Sequence, residues 1–432
     1  MTSEPIRLVS SRATHPAKGE VLPAAPESRL ALTRLSLSDF RNYASLRIEV
    51  EPVPVVLAGQ NGAGKTNLLE AISLLAPGRG LRRARLSDLV RRDVGGSWDG
   101  AEVPGRAWAV AAHVRTNLGE TEVGTGLVPG NAATESEDDD DATTPQGAAP
   151  ERRVVRVDGR TKGPAALAGV LSVRWLTPAM DRLFVEGGGA RRRFLDHLAT
   201  GLDAGHAPRV NAYERALRER ARLLRDGIAR SARADGEGAD RHWLAALEGT
   251  LAELGVAIAA ARREYASRLA AEIAAEGVTP LRLAVSGSVE ESLAANPALA
   301  AEAQFRDALA ASCEQDAITG GAAVGPHRSD LAVWHASGLP AAQCSTGEQK
   351  ALLLAIVRAD VRLLAAAQGR PPILLLDEVA AHLDEGRRRE LFEAAIGCGA
   401  QVWATGTDRS LFRALEGRAQ FFAAAGGVLS LA

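Results

Sequence analysis

The chain has 432 residues, 46% of them hydrophobic, enough for two or three domains of ordinary size with a sizeable core. Three cysteines, Cys313, Cys344 and Cys398, are few, odd in number and without metal-ligand spacing, which argues for a reducing cytosol and against a disulfide framework. No apolar run approaches the ~20 residues that span a bilayer and no apolar signal core opens the chain, so a cytoplasmic protein without membrane contact is expected. The net charge of −2 hides an uneven distribution. Residues 135–141 carry six acids, whereas residues 79–92 carry six arginines against Asp88 alone. Such local patches, rather than the sum, decide whether a polyanion can bind.

Residues 1–28 contain Pro, Ser and Ala without periodicity and read as a disordered tail. Leu30, Leu32, Leu35 and Leu37 predict a strand with a register break. Asp39–Tyr43 predicts a turn, and Leu46, Ile48 and Val50 alternate in a return strand. The apolar run Val53, Val55, Val56, Leu57 then leads into Gly59-Gln60-Asn61-Gly62-Ala63-Gly64-Lys65-Thr66, with Asn67 opening a helix that Pro77-Gly78 stops. A strand feeding a Gly-rich turn into a helix N-terminus is a phosphate-binding arrangement, because the turn's N–H groups and the helix dipole both face the anion. Lys65 is expected to reach the β- and γ-phosphates of ATP, and the Thr66 hydroxyl to ligate Mg²⁺. Only four lysines occur in the chain, and one stands here, where a compact ammonium is needed rather than a planar fork.

Trp108–Val114 and Arg152–Val157 read as strands, and Asp158-Gly159 as a hairpin turn pairing the second with a strand just after it. The polar, Gly- and Thr-rich residues 117–150 between them are expected to be a disordered acidic insert. It is read as a solubilising loop, the alternative being a role in keeping DNA away. Leu244, Leu247, Leu251, Leu254, Ile258, Ala261 and Tyr265 alternate spacings of three and four, a coiled-coil seam. A short antiparallel helix pair and an ordinary amphipathic bundle fit this region equally well. The α/β pattern returns near residue 316.

Ile373–Leu376 is a buried strand ending in Asp377 and Glu378. Asp377 is expected opposite Thr66 at Mg²⁺, and Glu378 as the general base that polarises water. Ser345-Thr346-Gly347-Glu348-Gln349-Lys350 precedes a long helix and is similar to the ABC-type signature, in which Ser345 and the Gly347 backbone would donate to phosphate; alone it is equally a helix N-cap. Ala381-His382-Leu383-Asp384 stands at the place of the D-loop.

Phe40-Arg41-Asn42-Tyr43, Pro178 through Asp196 with its Arg191-Arg192-Arg193 run, and Gly325-Pro326-His327-Arg328 with Asp330-Leu331 resemble, in this order, the RecF family of SMC-like DNA repair ATPases. The resemblance covers residues 29–432 apart from the acidic insert. It implies an ABC-type P-loop ATPase lobe of mixed sheets and flanking helices, split into residues 29–180 and 301–432. A helical lobe at 181–300 would be inserted between the halves, without a long coiled coil. It implies a head-to-tail homodimer formed on ATP, in which Ser345, Gly347, Glu348 and Gln349 complete the partner's site and Asp384 crosses the seam. It further implies a weak, DNA-stimulated ATPase that clamps double-stranded DNA at gaps and double-strand/single-strand junctions. With RecO and RecR it would load RecA, in recombinational repair, replication restart and the SOS response. The alternatives are the nucleotide-binding subunit of an ABC transporter and a static ATP-clamped DNA bridge.

The arginines expected to meet DNA are Arg79, Arg82, Arg83 and Arg85, and Arg191, Arg192 and Arg193; each run reads equally as a solvated face. Residues 209–230 add seven arginines against three acids. Arg41 and Asn42 are placed to contact nucleotide, and His327 is read as a structural contact between lobes. Cys344 and Ser329 depart from the family pattern, and Thr405-Gly406-Thr407-Asp408 lacks the switch histidine of transporter ATPases.

Overall fold

The structure, a computed structural model, describes residues 30–91, 107–117, 119–128, 152–231, 237–277, 281–378 and 383–432. The N-terminal tail, Arg92, most of the acidic insert and Ala381-His382 lie outside these residues.

Among the described residues the first sheet is antiparallel, in the order β2-β1-β4-β5-β6-β7. Its strands are β1 (Ala31–Phe40), β2 (Tyr43–Glu49), β4 (Trp108–Thr116), β5 (Gly119–Val128), β6 (Arg152–Val157) and β7 (Arg160–Lys162). The register break in β1 falls between Leu32 and Arg34, where the pairing with β4 shifts. Asp39 and Arg41, both at positive φ, turn the chain from β1 into β2.

Strand β5 corrects the expectation of a disordered insert beginning at residue 117. Its glycines and threonines read as loop, yet it pairs with both β4 and β6 and buries Val123 and Leu127. A Cβ on Gly126 would come within 2.5 Å of the Trp108 carbonyl oxygen, so that glycine permits a close strand approach rather than a loop.

The second sheet, in the order β14-β13-β3-β12-β11-β8, interleaves the two ends of the chain. Its strands are β3 (Val55–Ala58), β8 (Val173–Leu176), β11 (Ile373–Leu376), β12 (Val402–Gly406), β13 (Gln420–Ala425) and β14 (Val428–Leu431). β3 lies between β12 and β13, parallel to both. All four residues of β11 are buried, as a parallel strand covered on both faces requires. On one face Leu375 and Trp403 share a core with helix α1 (Lys65–Ser73) and with Leu35, Leu37 and Val110 of the first sheet. On the other face Leu374 and Val402 pack with α8 (Thr346–Gln368) and α9 (Glu385–Gly397).

The remaining helices are α2 (Gly188–Ala199), α3 (His206–Ser231), α4 (Glu237–Glu276), α5 (Ser288–Ala295), α6 (Ala298–Ala311) and α7 (Cys313–Thr319). A two-stranded antiparallel sheet of β9 (Leu281–Ser286) and β10 (Asp330–His335) joins them. Thus a strand lies within the 181–300 segment, and helices run past its end to Thr319. The seam residues Leu251, Ile258 and Tyr265 of α4 are buried, but not along one coiled coil. Leu251 and Ile258 pack with Tyr213 and Phe305, whereas Tyr265 joins the core of α8. By length and composition α4 from Arg241 to Glu276 is apolar enough to cross a bilayer, a property that a buried core helix shares. Its alanine-rich stretch serves these two protein cores.

Arg153 links the first sheet to α1. Its guanidinium donates to the Leu74, Ala76 and Gly78 carbonyls just beyond the helix, where unpaired carbonyls and the negative dipole end collect. Burial pulls its pKa down to about 10.

Candidate nucleotide site

The loop after β3 is folded by its glycines. Gly62 and Gly64 have φ of 81° and 101°. A Cβ on Gly64 would sit 2.3 Å from the Asn42 side chain, so any other residue there is both strained and crowded. The Gly59 N–H donates to the Gly406 carbonyl at 3.1 Å, tying the loop to β12. Tyr43 donates to the Gly64 carbonyl at 3.0 Å, and burial raises its pKa to about 12. Gln60 and Asn61 are exposed and Ala63 is buried.

Lys65 bends back over this loop. Its Nζ donates to the carbonyls of Gly59 (2.6 Å) and Gln60 (2.9 Å), so its direct partners are neutral. Burial lowers its pKa, against which the charges of Glu378 and Asp377 act. An ammonium held only by neutral carbonyls keeps its charge available to an anion.

Thr66 and Asp377 meet as expected: the Thr66 hydroxyl donates to Asp377 Oδ1 at 2.8 Å. The residue that sequence reasoning missed is Thr405. Its hydroxyl donates to the same Oδ1 at 2.9 Å and accepts the Glu378 N–H at 2.9 Å. Glu378 has φ of 52°, a left-handed conformation costing about 1–2 kcal/mol for an L-residue, and Thr405 helps to hold it. A hydroxyl and a carboxylate oxygen side by side suit Mg²⁺, a hard cation that takes oxygen ligands.

Arg41 does not face this pocket. Its guanidinium forks onto both oxygens of buried Glu70 (2.9 and 2.8 Å) and onto the Asp88 carbonyl. Asn42 does sit against the loop, accepting from Asn67 Nδ2 at 2.8 Å.

The signature forms the N-terminus of α8. Ser345 is its N-cap in a complete capping box with Glu348, whose carboxylate accepts from both the Ser345 N–H and hydroxyl at 2.8 Å. Those hydrogen bonds lower the Glu348 pKa. Gln349 is buried and donates to the Cys344 carbonyl, and Cys344 fills an apolar position in the core. Asp384 caps α9, accepting from the Arg387 N–H at 2.9 Å. A Cβ on Gly347 would meet only Arg387 Nη1, at 3.9 Å, among the described residues. Neither φ nor crowding among the described residues asks for glycine there, although glycine in a helix costs about 0.5–1 kcal/mol relative to alanine.

The expected DNA arginines divide. Arg191 is forked onto Asp330 (2.7 Å for both bonds), and Arg192 donates to the Ser329 carbonyl at 2.7 Å; these two brace α2 against β10. Arg82 is bonded to Asn67 and Glu70 beside the nucleotide loop. Arg79, Arg83, Arg85 and Arg193 have exposed side chains; the Arg83 guanidinium is still partly shielded from water, which first lowers its pKa, and the positive charges of Arg193 and Arg79 lower it further. In α3, Arg220 is buried on Glu248 and Asp316 and is structural. His327 Nε2 donates to the Ala322 carbonyl at 2.9 Å and its Nδ1 bonds the Tyr213 hydroxyl at 2.8 Å, a contact between segments. Ser329 donates to buried Glu290.

A P-loop between parallel strands, two strand-end acids and a signature-capped helix define an ABC-type P-loop ATPase. The family model described as the RecF/RecN/SMC N-terminal domain matches residues 31–414. The chain is 45% identical over 404 residues to the DNA replication and repair protein RecF of Caulobacter sp. (strain K31), covering 91% of this chain and 96% of that one. It is 42% identical over 408 residues to the RecF of Brucella suis biovar 1 (strain 1330), covering 93% and 96%. A solved structure of the recombination mediator protein RecF-ATPrS in the RecFOR pathway superposes with a TM-score of 0.76 at 22% identity, covering 94% of this chain and 98% of that one. The chain belongs to the RecF family of DNA replication and repair proteins, and the transporter reading is set aside.

Proposed function

We propose that this chain is a DNA repair ATPase whose ATP sites are completed only between two copies. The observation that carries this reading is Gly347. It is a glycine that nothing among the described residues requires, itself half-buried at an exposed helix N-terminus, and backbone there can approach an anion from outside. Gly59 through Asn67 and Lys65 hold the phosphates of ATP in one protomer. Ser345, Gly347, Glu348 and Gln349 of the other close over them, with Asp384 at the seam. Glu348 must give up the Ser345 hydroxyl for that closure, since one proton cannot serve two acceptors. Thr66 and Asp377 would hold Mg²⁺, which would supply positive charge against that developing in phosphoryl transfer. Glu378, held through its N–H by Thr405, orients water and takes its proton.

The exposed Arg79, Arg83, Arg85 and Arg193 supply a phosphate-neutralising face. ATP-driven dimerisation clamps double-stranded DNA at gaps and double-strand/single-strand junctions in the cytoplasm, slow DNA-stimulated hydrolysis releases it, and RecR and RecO act with it in loading RecA. Binding of this kind is sequence-independent, so affinity for duplex DNA should fall steeply and linearly on a log–log salt plot and should require ATP. Filter-binding curves unchanged by nucleotide would count against the clamp.

Sizing the protein with and without ATP tests the two-copy site. The wild type should double in mass with ATP, while Lys65→Met and Ser345→Arg each stay monomeric. A Ser345→Arg protein that still dimerises on ATP would remove the signature from the site.

A further inference from the structure

The loops expected to act in trans come from segments about 40 residues apart, and one side chain joins them. Arg387 Nη1 donates to the Gly347 carbonyl at 3.0 Å, and its Nε lies 3.4 Å from Asp384 Oδ2. The Arg387 backbone N–H is itself the group that Asp384 caps. The Arg387 side chain is 41% exposed, so it is not there to fill a core.

We propose that Arg387 is a positioning residue that welds the signature to the D-loop, so that a protomer presents both to its partner's nucleotide as one rigid unit. This rests on the two-copy reading above. The physical basis is the planarity of the peptide group. The carbonyl of Gly347 and the N–H of Glu348 share one plane, and gripping the oxygen fixes the direction of the N–H. That N–H, now only 3.3 Å from Ser345 Oγ, is one of the donors a phosphate would meet at this helix N-terminus. The same grip brings a guanidinium charge between the N-termini of α8 and α9, where both dipoles are positive. Asp384 offsets part of that charge from one side. An arginine fork can reach a carbonyl and a carboxylate at once, which a lysine cannot.

Arg387 touches nothing in its own chain's P-loop, so its loss should separate two measurements. In a Glu378→Gln background, Arg387→Ala should raise the dimer dissociation constant at saturating ATP by about tenfold or more, since each dimer contains two such bridges to a charged donor. Affinity of the dilute monomer for a fluorescent ATP analogue, and the thermal midpoint without nucleotide, should stay at the parent's values. Arg387→Lys should fall between alanine and the parent. Full recovery with lysine would make the effect one of charge alone and overturn the weld. So would dimerisation of Arg387→Ala at the parent's level, or a parallel loss of monomer ATP affinity. Ser345→Arg and Lys65→Met are run beside it. If those two also dimerise on ATP, it is the two-copy reading that falls, and the role of Arg387 goes with it.

Discussion

Glu378→Gln should reduce ATP turnover by about 10²–10⁴-fold, the range lost when a positioned general base is removed. Glutamine keeps the size and the backbone hydrogen bond to Thr405, so the pocket should still bind nucleotide and still pair two protomers. Dimers should therefore accumulate on DNA in the presence of ATP, seen as a slow dissociation phase when competitor DNA is added. The same variant separates the proposed cycle from a static ATP-clamped bridge. If hydrolysis is needed to let go of DNA, cells carrying Glu378→Gln should be as sensitive to ultraviolet light as cells without the protein. Full repair by this variant would favour the static bridge.

The largest loss of stability is expected at Asp360. This acid is fully buried in α8 and accepts from Arg174 Nε at 2.7 Å and from the Tyr265 hydroxyl. Arg174 lies in β8 and donates its other arm to the Leu198 carbonyl of α2. Burial, and then the Asp360 charge, raise the Tyr265 pKa well above its usual value. Asp360→Ala strands a buried guanidinium without its carboxylate, which should cost about 3–5 kcal/mol in a denaturant titration. Replacing Arg174 and Asp360 together by leucine and alanine should cost less than the single change, because no charge is left behind. A double variant less stable than Asp360→Ala would contradict the pairing. One network thus joins the nucleotide sheet, the signature helix and helices α2 and α4.

The parts of this molecule that could be read in advance are those that sequence neighbours determine. The strand, glycine turn and helix from Val55 to Ser73 are contiguous, and the apolar run of β11 announces the acids that follow it. Thr405 was hidden because its role depends on register between strands. Leu376 pairs with Ala404, which brings Thr405 beside Asp377, and no local pattern records that pairing. The arginines of α2 misled for a similar reason. A run of three looks like a polyanion surface, but Asp330 and Ser329, which engage two of them, arrive more than 130 residues later. Glu70 gave no local sign of its importance either, since its partners Arg41 and Arg82 lie on other segments. Strand β5 was obscured by its composition, because a strand squeezed against Trp108 must use the glycine that elsewhere signals a loop.

The order of strands in the nucleotide sheet bears on how the protein is made. β3 is flanked by β12 and β13, which the ribosome delivers more than 340 residues after it. A nascent polypeptide already carrying the whole P-loop has nothing on either side to hold it flat. Contacts between such distant segments form slowly. Neither half released by proteolysis, nor a product of premature termination before Val402, should retain ATP on a filter. Competence would then arrive in a single event, once β12 and β13 have both emerged.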